Sequence, residues 1–214
     1  WKKKLISGED TISKGKIVSL EGNFSPNTIS ILLSLTDFNC IIIPLSYSIN
    51  SGKDELLKIA EPDFKIIVDE NDGVKIQKIF KEETNQPHRF IEILKEREHP
   101  GLILFSSGTS GKPKAAVHDF TKLLNKFKAK RDSFVTMNFL LFDHWGGLNT
   151  LFHTLSNGGC VISPEIRTPD YICGLIEKFK AELLPSSPTF LNLLLISEAY
   201  KRFDLSSLKV ISYG

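Results

Sequence analysis

A run of small, donor-rich residues lies between two short apolar segments near the middle of the chain. Residues 106–114 read SSGTSGKPK and hold four hydroxyls, two glycines and two lysines. Glycine adopts backbone angles that other residues avoid. Successive N–H groups can therefore point into one concavity, to which hydroxyls and lysines add donors and positive charge. The apolar runs 102–105 and 115–117 predict a strand on either side. This pattern predicts a cradle for a polyphosphate.

The spacing of the glycines excludes two common nucleotide-binding motifs. A Walker A loop needs four residues between its glycines and then Lys-Ser or Lys-Thr. Here only Thr109 and Ser110 separate Gly108 from Gly111, and Lys112 is followed by Pro113. A dinucleotide fingerprint needs Gly-x-Gly-x-x-Gly at the start of a helix, which is also absent.

The segment instead resembles the phosphate loop of the adenylate-forming (AMP-binding) superfamily. This group includes acyl-CoA synthetases, luciferases and the adenylation domains of peptide synthetases, and its loop reads Ser/Thr-Ser-Gly-Ser/Thr-Ser/Thr-Gly-x-Pro-Lys. All nine positions match, whereas Ala115 stands where a further glycine is usual. The resemblance implies that ATP phosphates are bound by Ser106, Ser107, Gly108, Thr109, Ser110, Gly111 and Lys114.

Composition favours a globular protein rather than a nucleic-acid or membrane protein. The 214 residues carry a formal net charge of +2, without a long basic stripe. No apolar run reaches the roughly 20 residues of a membrane span. The three cysteines are far apart and predict reduced core thiols of a cytoplasmic protein. Because the chain begins at Trp1, we expect it to be a piece of a longer protein.

Apolar runs of strand length alternate with amphipathic runs of helix length, which predicts an α/β fold. Early in the chain, Ser25 and Ser51 are candidate helix caps. We expect two successive α/β lobes with largely parallel sheets flanked by helices, residues 1–130 and 131–214. The resemblance implies that they form the first part of the large N-terminal domain of an adenylate-forming enzyme.

A second candidate site follows a predicted strand over residues 133–141. Phe-Asp-His-Trp-Gly-Gly ends this strand just before a predicted helix over 148–156, and open α/β sheets bind ligands at strand ends. On its own, His144 is more often a structural histidine. The resemblance implies that His144 lines a carboxylate pocket in which Gly146 and Gly147 make room for the acyl chain.

The C-terminal stretch resembles the strand that leads into the adenine-binding turn of the family. This resemblance implies that Tyr213 and Gly214 line the nucleotide and acyl pocket. The aliphatic residues 191–196 are compatible with a fatty acid but could equally be core. His88, His99 and His153 have no partner at a metal-ligand spacing, so we predict no metal site. No paired carboxylates and no Ser–His–Asp pattern can be assigned, so we predict no catalytic residue within this chain.

The resemblance implies ATP-dependent activation of a carboxylic acid to an acyl-adenylate, with ATP, Mg²⁺ and coenzyme A as cofactors. A carrier protein is an alternative thiol acceptor. We expect the 214 residues alone to be inactive, because the family's magnesium- and ribose-binding motifs would follow Gly214. Two alternatives stay open: a non-catalytic nucleotide-binding fragment and an unrelated ATP-using phosphotransferase.

Overall fold

The chain divides into two compact units, each described here by itself. A computed structural model describes residues 1–6, 11–47, 52–80, 88–107 and 112–213. The first unit is Trp1–Asn125 and the second is Lys126–Gly214. The sequence analysis placed the join between residues 130 and 131.

The described part of the first unit contains a six-stranded sheet with a parallel centre. Its order is β4-β3-β1-β2-β5-β6, in which β3, β1, β2 and β5 run parallel and the two edge strands run antiparallel to their neighbours. The strands are β1 (Ile17–Glu21), β2 (Ile41–Leu45), β3 (Phe64–Val68), β4 (Val74–Lys78), β5 (Gly101–Ser107) and β6 (Pro113–Asp119).

Burial explains why the central strands read as unbroken apolar runs. Every residue of β1 and of β2 is buried, as expected for parallel strands covered on both faces. Pro44 is tolerated within β2 because the pairing of β2 with β5 involves only Ile41 and Ile42, so its missing N–H removes no bond to β5.

One of the two predicted helix caps of the first unit can be compared with the structure. Ser25 caps α2, because its hydroxyl accepts from the N–H of Thr28 at 3.2 Å, and Pro26 is the first helical residue. The cap position of α3 is Gly52, with a left-handed φ of 84°, and the predicted cap Ser51 lies outside the described residues. The helices are α1 (Lys2–Ile6), α2 (Pro26–Asp37), α3 (Lys53–Ala60), α4 (Arg89–Glu96) and α5 (Phe120–Leu124).

The described part of the second unit contains a four-stranded parallel sheet of order β10-β9-β7-β8. The predicted strand 133–141 is reduced to three residues, and the predicted helix 148–156 begins three residues earlier, at Trp145. Its elements are β7 (Val135–Met137), α6 (Trp145–Ser156), β8 (Cys160–Ile162), α7 (Pro169–Phe179), β9 (Leu183–Ser186), α8 (Pro188–Ser197) and β10 (Val210–Tyr213).

One face of this second sheet packs on α7 and α8. Met137 and Leu184 point into a cluster with Ile172 and Phe190, and the ring of Phe190 lies 4.4 Å from that of Phe139. The predicted α/β fold, with mixed or parallel sheets flanked by helices, is therefore confirmed. Among the cysteines, Cys40 and Cys173 are buried as expected, whereas Cys160 is exposed, so its prediction as a core thiol is wrong.

Candidate functional site

The two ends of the predicted phosphate loop lie on β5 and β6, which pair as antiparallel strands. Ser106 pairs with Lys114 and Ser107 with Pro113 in antiparallel register. These four residues therefore belong to paired strands, not to a nine-residue loop. The candidate residues Gly108, Thr109, Ser110 and Gly111 lie outside the described residues.

The hairpin places two of the predicted phosphate ligands side by side. Residues directly opposite each other in an antiparallel pair project to the same face. The Ser106 hydroxyl and the Lys114 ammonium group share one face, and both residues are exposed. This face can offer a hydroxyl donor and a positive charge to an anion.

The base of the hairpin is anchored by a carboxylate. Asp119, paired with Gly101, lies 3.0 Å from Nδ1 of His99, and its Oδ1 accepts from the N–H of Lys122 as the cap of α5. Burial tends to raise the pKa of Asp119, but the hydrogen bonds with His99 and the Lys122 N–H outweigh it and lower the pKa. Asp119 thus connects the hairpin to α5 and to the turn that follows α4.

Gly101 is required at the same place by close packing. A Cβ there would lie 2.9 Å from Cδ1 of Leu94 and 3.0 Å from Cγ1 of Ile41. Because both neighbours belong to the buried core, a larger residue would push β5 away from β2.

A cleft of about 570 Å³ lies within the second unit, along α6. Gly146, Asn149, Thr150 and His153 line it at the spacing i, i+3, i+4 and i+7, which is one face of the helix. The remaining lining residues come from the loops flanking β7, from β9, from the N-cap of α8 and from β10, as follows: Phe134, Leu140, Leu183, Pro185, Ser186, Ser187, Val210, Ser212 and Tyr213.

The electrostatics of the cleft are set by cations beside it. An adjoining hollow of about 190 Å³ shares Asn149 and His153 with the cleft and is also lined by Lys126 and Arg131. Burial lowers the pKa of His153, and the charges of Arg131 and Lys126 lower it further. The lowered pKa favours the neutral imidazole, which can both donate and accept a hydrogen bond.

The candidate residues His144, Gly146 and Gly147 have different environments. His144 is exposed and occupies the N-cap position of α6, where its carbonyl accepts from the N–H of Leu148. Gly146 lines the cleft. Gly147 is buried, and a Cβ there would lie 2.0 Å from the carbonyl oxygen of Leu141. Gly147 thus has a structural reason to be glycine, and its role beside an acyl chain stays a prediction.

Tyr213 also lines the cleft and is 70% exposed. Gly214 lies outside the described residues. The aliphatic residues 191–196 do not line the cleft. Instead, Leu194 is buried in the core formed with α7, whereas Leu195 and Ile196 are exposed.

Sequence reasoning missed the polar residues Asn149, Thr150, His153 and Ser186. A signal for three of them was present, since they share a helical face with Gly146 in an otherwise apolar helix. Ser186 carried no such signal, because a serine at the end of a strand is common in turns. Within the described ranges, His, Cys, Asp and Glu form no group of three or more that could hold a metal ion. No described helix is both long and apolar enough to cross a bilayer.

The described elements form an α/β fold, with a sheet of parallel centre in the first unit and a parallel sheet in the second. The sequence profile described as "AMP-binding enzyme" matches residues 14–214. The chain therefore belongs to the AMP-binding enzyme family.

A curated relative is similar to the chain in sequence, and two solved structures share its fold. An acetyl-coenzyme A synthetase from Pyrobaculum arsenaticum is 29% identical over 130 residues, which cover 54% of this chain and 19% of that protein. The luciferase-like enzyme of the mealworm Zophobas morio has a TM-score of 0.71 at 20% identity, covering 95% of this chain and 54% of that chain. An amide bond synthetase from Marinactinospora thermotolerans has a TM-score of 0.68 at 22% identity, covering 100% and 47%. The chain thus spans about half of these structures and a smaller part of the curated relative.

Proposed function

We propose that the protein activates a carboxylic acid with ATP to give an acyl-adenylate and then passes the acyl group to a thiol. The observation that carries the proposal is the hairpin, whose SSGTSGKPK segment occurs in a chain of the AMP-binding enzyme family. The cleft along α6 is the proposed site of the acid.

The chemistry needs positioning and positive potential rather than a protein nucleophile. In the first step, a carboxylate oxygen bonds to the α-phosphorus of ATP while the bond from that phosphorus to the pyrophosphate oxygen breaks. Both reactants are anions, so charge repulsion and misalignment make up much of the barrier. Ser106 and Lys114, on one face of the hairpin, would hold the departing pyrophosphate with the backbone of residues 107–111.

In the second step, the sulfur of a thiol bonds to the acyl carbon, AMP leaves, and the thiol proton passes to solvent. The acetyl-coenzyme A synthetase among the relatives supports coenzyme A as the acceptor, and a carrier thiol is the alternative. Mg²⁺ would neutralise phosphate charge when bound with ATP. A cytoplasmic setting belongs to the same proposal and is supported by three free cysteines.

The test is carboxylate-dependent exchange of labelled pyrophosphate into ATP by the full-length protein, with a panel of aliphatic, aryl and amino acids. Exchange should fall at least tenfold in Lys114→Gln, because the loss of one charged contact costs about 1.5–3 kcal/mol. The matched control is Lys122→Gln, an exposed lysine of α5, which should retain exchange. Release of ADP or phosphate, without exchange for any acid, would instead identify a phosphotransferase.

A further inference from the structure

The face of α6 that lines the cleft is polar, although the helix as a whole is apolar. Asn149, Thr150 and His153 point into the cleft on successive turns. The side chain of Thr150 is occupied, because its hydroxyl donates to the carbonyl of Gly146 at 2.9 Å. Asn149 and His153 are the other two polar residues of this face.

Two buried polar atoms of the cleft residues have no hydrogen-bond partner. These are Oδ1 of Asn149 and Oγ of Ser186, and Ser186 as a whole is only 3% exposed. Buried polar groups in native proteins are nearly always paired, and an unpaired one destabilises the fold. Buried polar atoms without a partner also occur outside the cleft lining, on Thr136 and Asn138. The atoms of Asn149 and Ser186 differ from these because both belong to residues that line one cleft, which favours a ligand group as their partner.

The chemistry of these atoms limits what that group can be. The Asn149 oxygen can only accept, so the ligand must donate to it. The Ser186 hydroxyl can donate or accept. A hydroxyl group satisfies both, since it can donate one hydrogen bond and accept others.

A cationic amine fits the cleft less well than a hydroxyl. No Asp or Glu occurs among the described residues that line the cleft, so an ammonium group would have no counter-charge. Lys126 and Arg131 lie in the adjoining hollow and make the local potential positive. The same two charges contribute to the lowered pKa of His153.

Most of the remaining cleft lining is apolar, apart from Ser187, Ser212 and Tyr213. Phe134 and Leu140 come from the segments flanking β7, Leu183 and Pro185 from β9, and Val210 from β10. A ligand with an apolar body would bury that body against these residues. Its polar substituent would then face α6.

We propose that the acid taken by this cleft is a hydroxylated one, an apolar carboxylic acid bearing a neutral hydroxyl that bonds to Asn149 and Ser186. This inference rests on the proposed function, because it names the substrate class of the same site. It excludes both plain fatty acids and α-amino acids as the preferred substrates.

The first experiment measures binding to the 214-residue chain by ligand-observed NMR. The probes are 3-phenylpropanoate, its 2-, 3- and 4-hydroxyphenyl counterparts, and phenylalanine. At least one hydroxylated acid should bind about tenfold more tightly than 3-phenylpropanoate, which corresponds to about 1.4 kcal/mol. In Ser186→Ala and in Asn149→Leu the preference should fall below about threefold, whereas Ser163→Ala, at an exposed serine outside the cleft, should keep it.

A second measurement does not depend on any ligand. If the Ser186 hydroxyl lacks a partner in the free protein, Ser186→Ala should raise the melting temperature, because the variant removes an unpaired buried group. A lowered melting temperature means that the hydroxyl is bonded within the protein and overturns the proposal. Equal or tighter binding of 3-phenylpropanoate or phenylalanine overturns it as well, as does the absence of binding by every probe.

Pyrophosphate exchange separates this proposal from the proposed function. Exchange by the full-length protein with unhydroxylated acids alone would leave acid activation standing and refute the hydroxyl preference. Hydroxyl-dependent binding without exchange for any acid would refute acid activation and leave the preference of the cleft in place.

Discussion

The two adjacent glycines of α6 allow a direct test of the packing around the cleft. An added Cβ at Gly147 would lie 2.0 Å from the carbonyl oxygen of Leu141 and 3.0 Å from that of Leu140. At Gly146 the nearest atom would be Cδ1 of Leu140 at 2.8 Å, and the next would be 3.8 Å away. The first clash is with backbone, whereas the second is with the tip of a flexible side chain.

These contacts predict opposite outcomes for two alanine substitutions. In a helix, alanine is favoured over glycine by about 1 kcal/mol. At Gly147 the backbone overlap should cost about 3 kcal/mol, so Gly147→Ala should lose about 2 kcal/mol of unfolding free energy. At Gly146 the shift of the Leu140 tip should cost about 1 kcal/mol, so Gly146→Ala should be nearly neutral.

Urea unfolding followed by the fluorescence of Trp145 measures the difference. Trp145 is in the first turn of α6, and a Trp1→Phe background removes the only other tryptophan. This local probe is needed because two compact units need not unfold together. Equal stability of the two variants, within about 0.5 kcal/mol, would refute the close approach of Gly147 to the Leu141 carbonyl.

Three further predictions concern electrostatics and a helix cap. Arg131→Gln should raise the pKa of His153 toward its ordinary value in an NMR titration, because one of the causes of the lowered pKa is removed. The control is Lys128→Gln, at an exposed lysine that is not among those causes. An unchanged pKa of His153 in both variants contradicts the role of Arg131. Because the pKa of Asp119 is lowered on folding, its stabilising effect is present at neutral pH and is lost as the pH falls below about 4 toward the folded pKa. In Asp119→Asn the unfolding free energy should therefore fall less steeply at acid pH. An unchanged pH dependence of the unfolding free energy contradicts this. Ser25→Ala should cost about 1 kcal/mol or more in urea unfolding, since the hydroxyl caps α2 and also donates to Asp72, and a neutral result would mean that the cap is replaced by solvent.

Much of the first unit could be predicted because local signals and burial agree there. The consecutive apolar residues Ile41, Ile42 and Ile43 are all buried because both faces of their strand are covered. Ser25-Pro26 marks the start of α2 by a side-chain acceptor and a preset φ. In such places the residue types alone determine the local structure.

The second unit was less predictable because tertiary contacts decide where its elements end. The apolar run 133–141 predicts a long strand, but pairing with β8 and β9 supports only Val135–Met137. Beyond it the chain turns so that Leu141 meets Gly147, which lets α6 begin at Trp145. The periodicity of the sequence does not predict the contact between Leu141 and Gly147.

The site shows the same division between what a motif reveals and what only packing reveals. SSGTSGKPK is identifiable because its chemistry lies in the residue types themselves, although register makes its ends strands. The wall of the cleft is different: Asn149 and Ser186 come from α6 and β9, and their unpaired oxygens become visible only when the sheet and helix are assembled. The aliphatic run 191–196, which suggested a fatty acid, does not line the cleft. If the proposed hydroxyl preference holds, the polar face of α6 selects the acid, and a preference that survives Ser163→Ala but not Ser186→Ala is the expected result.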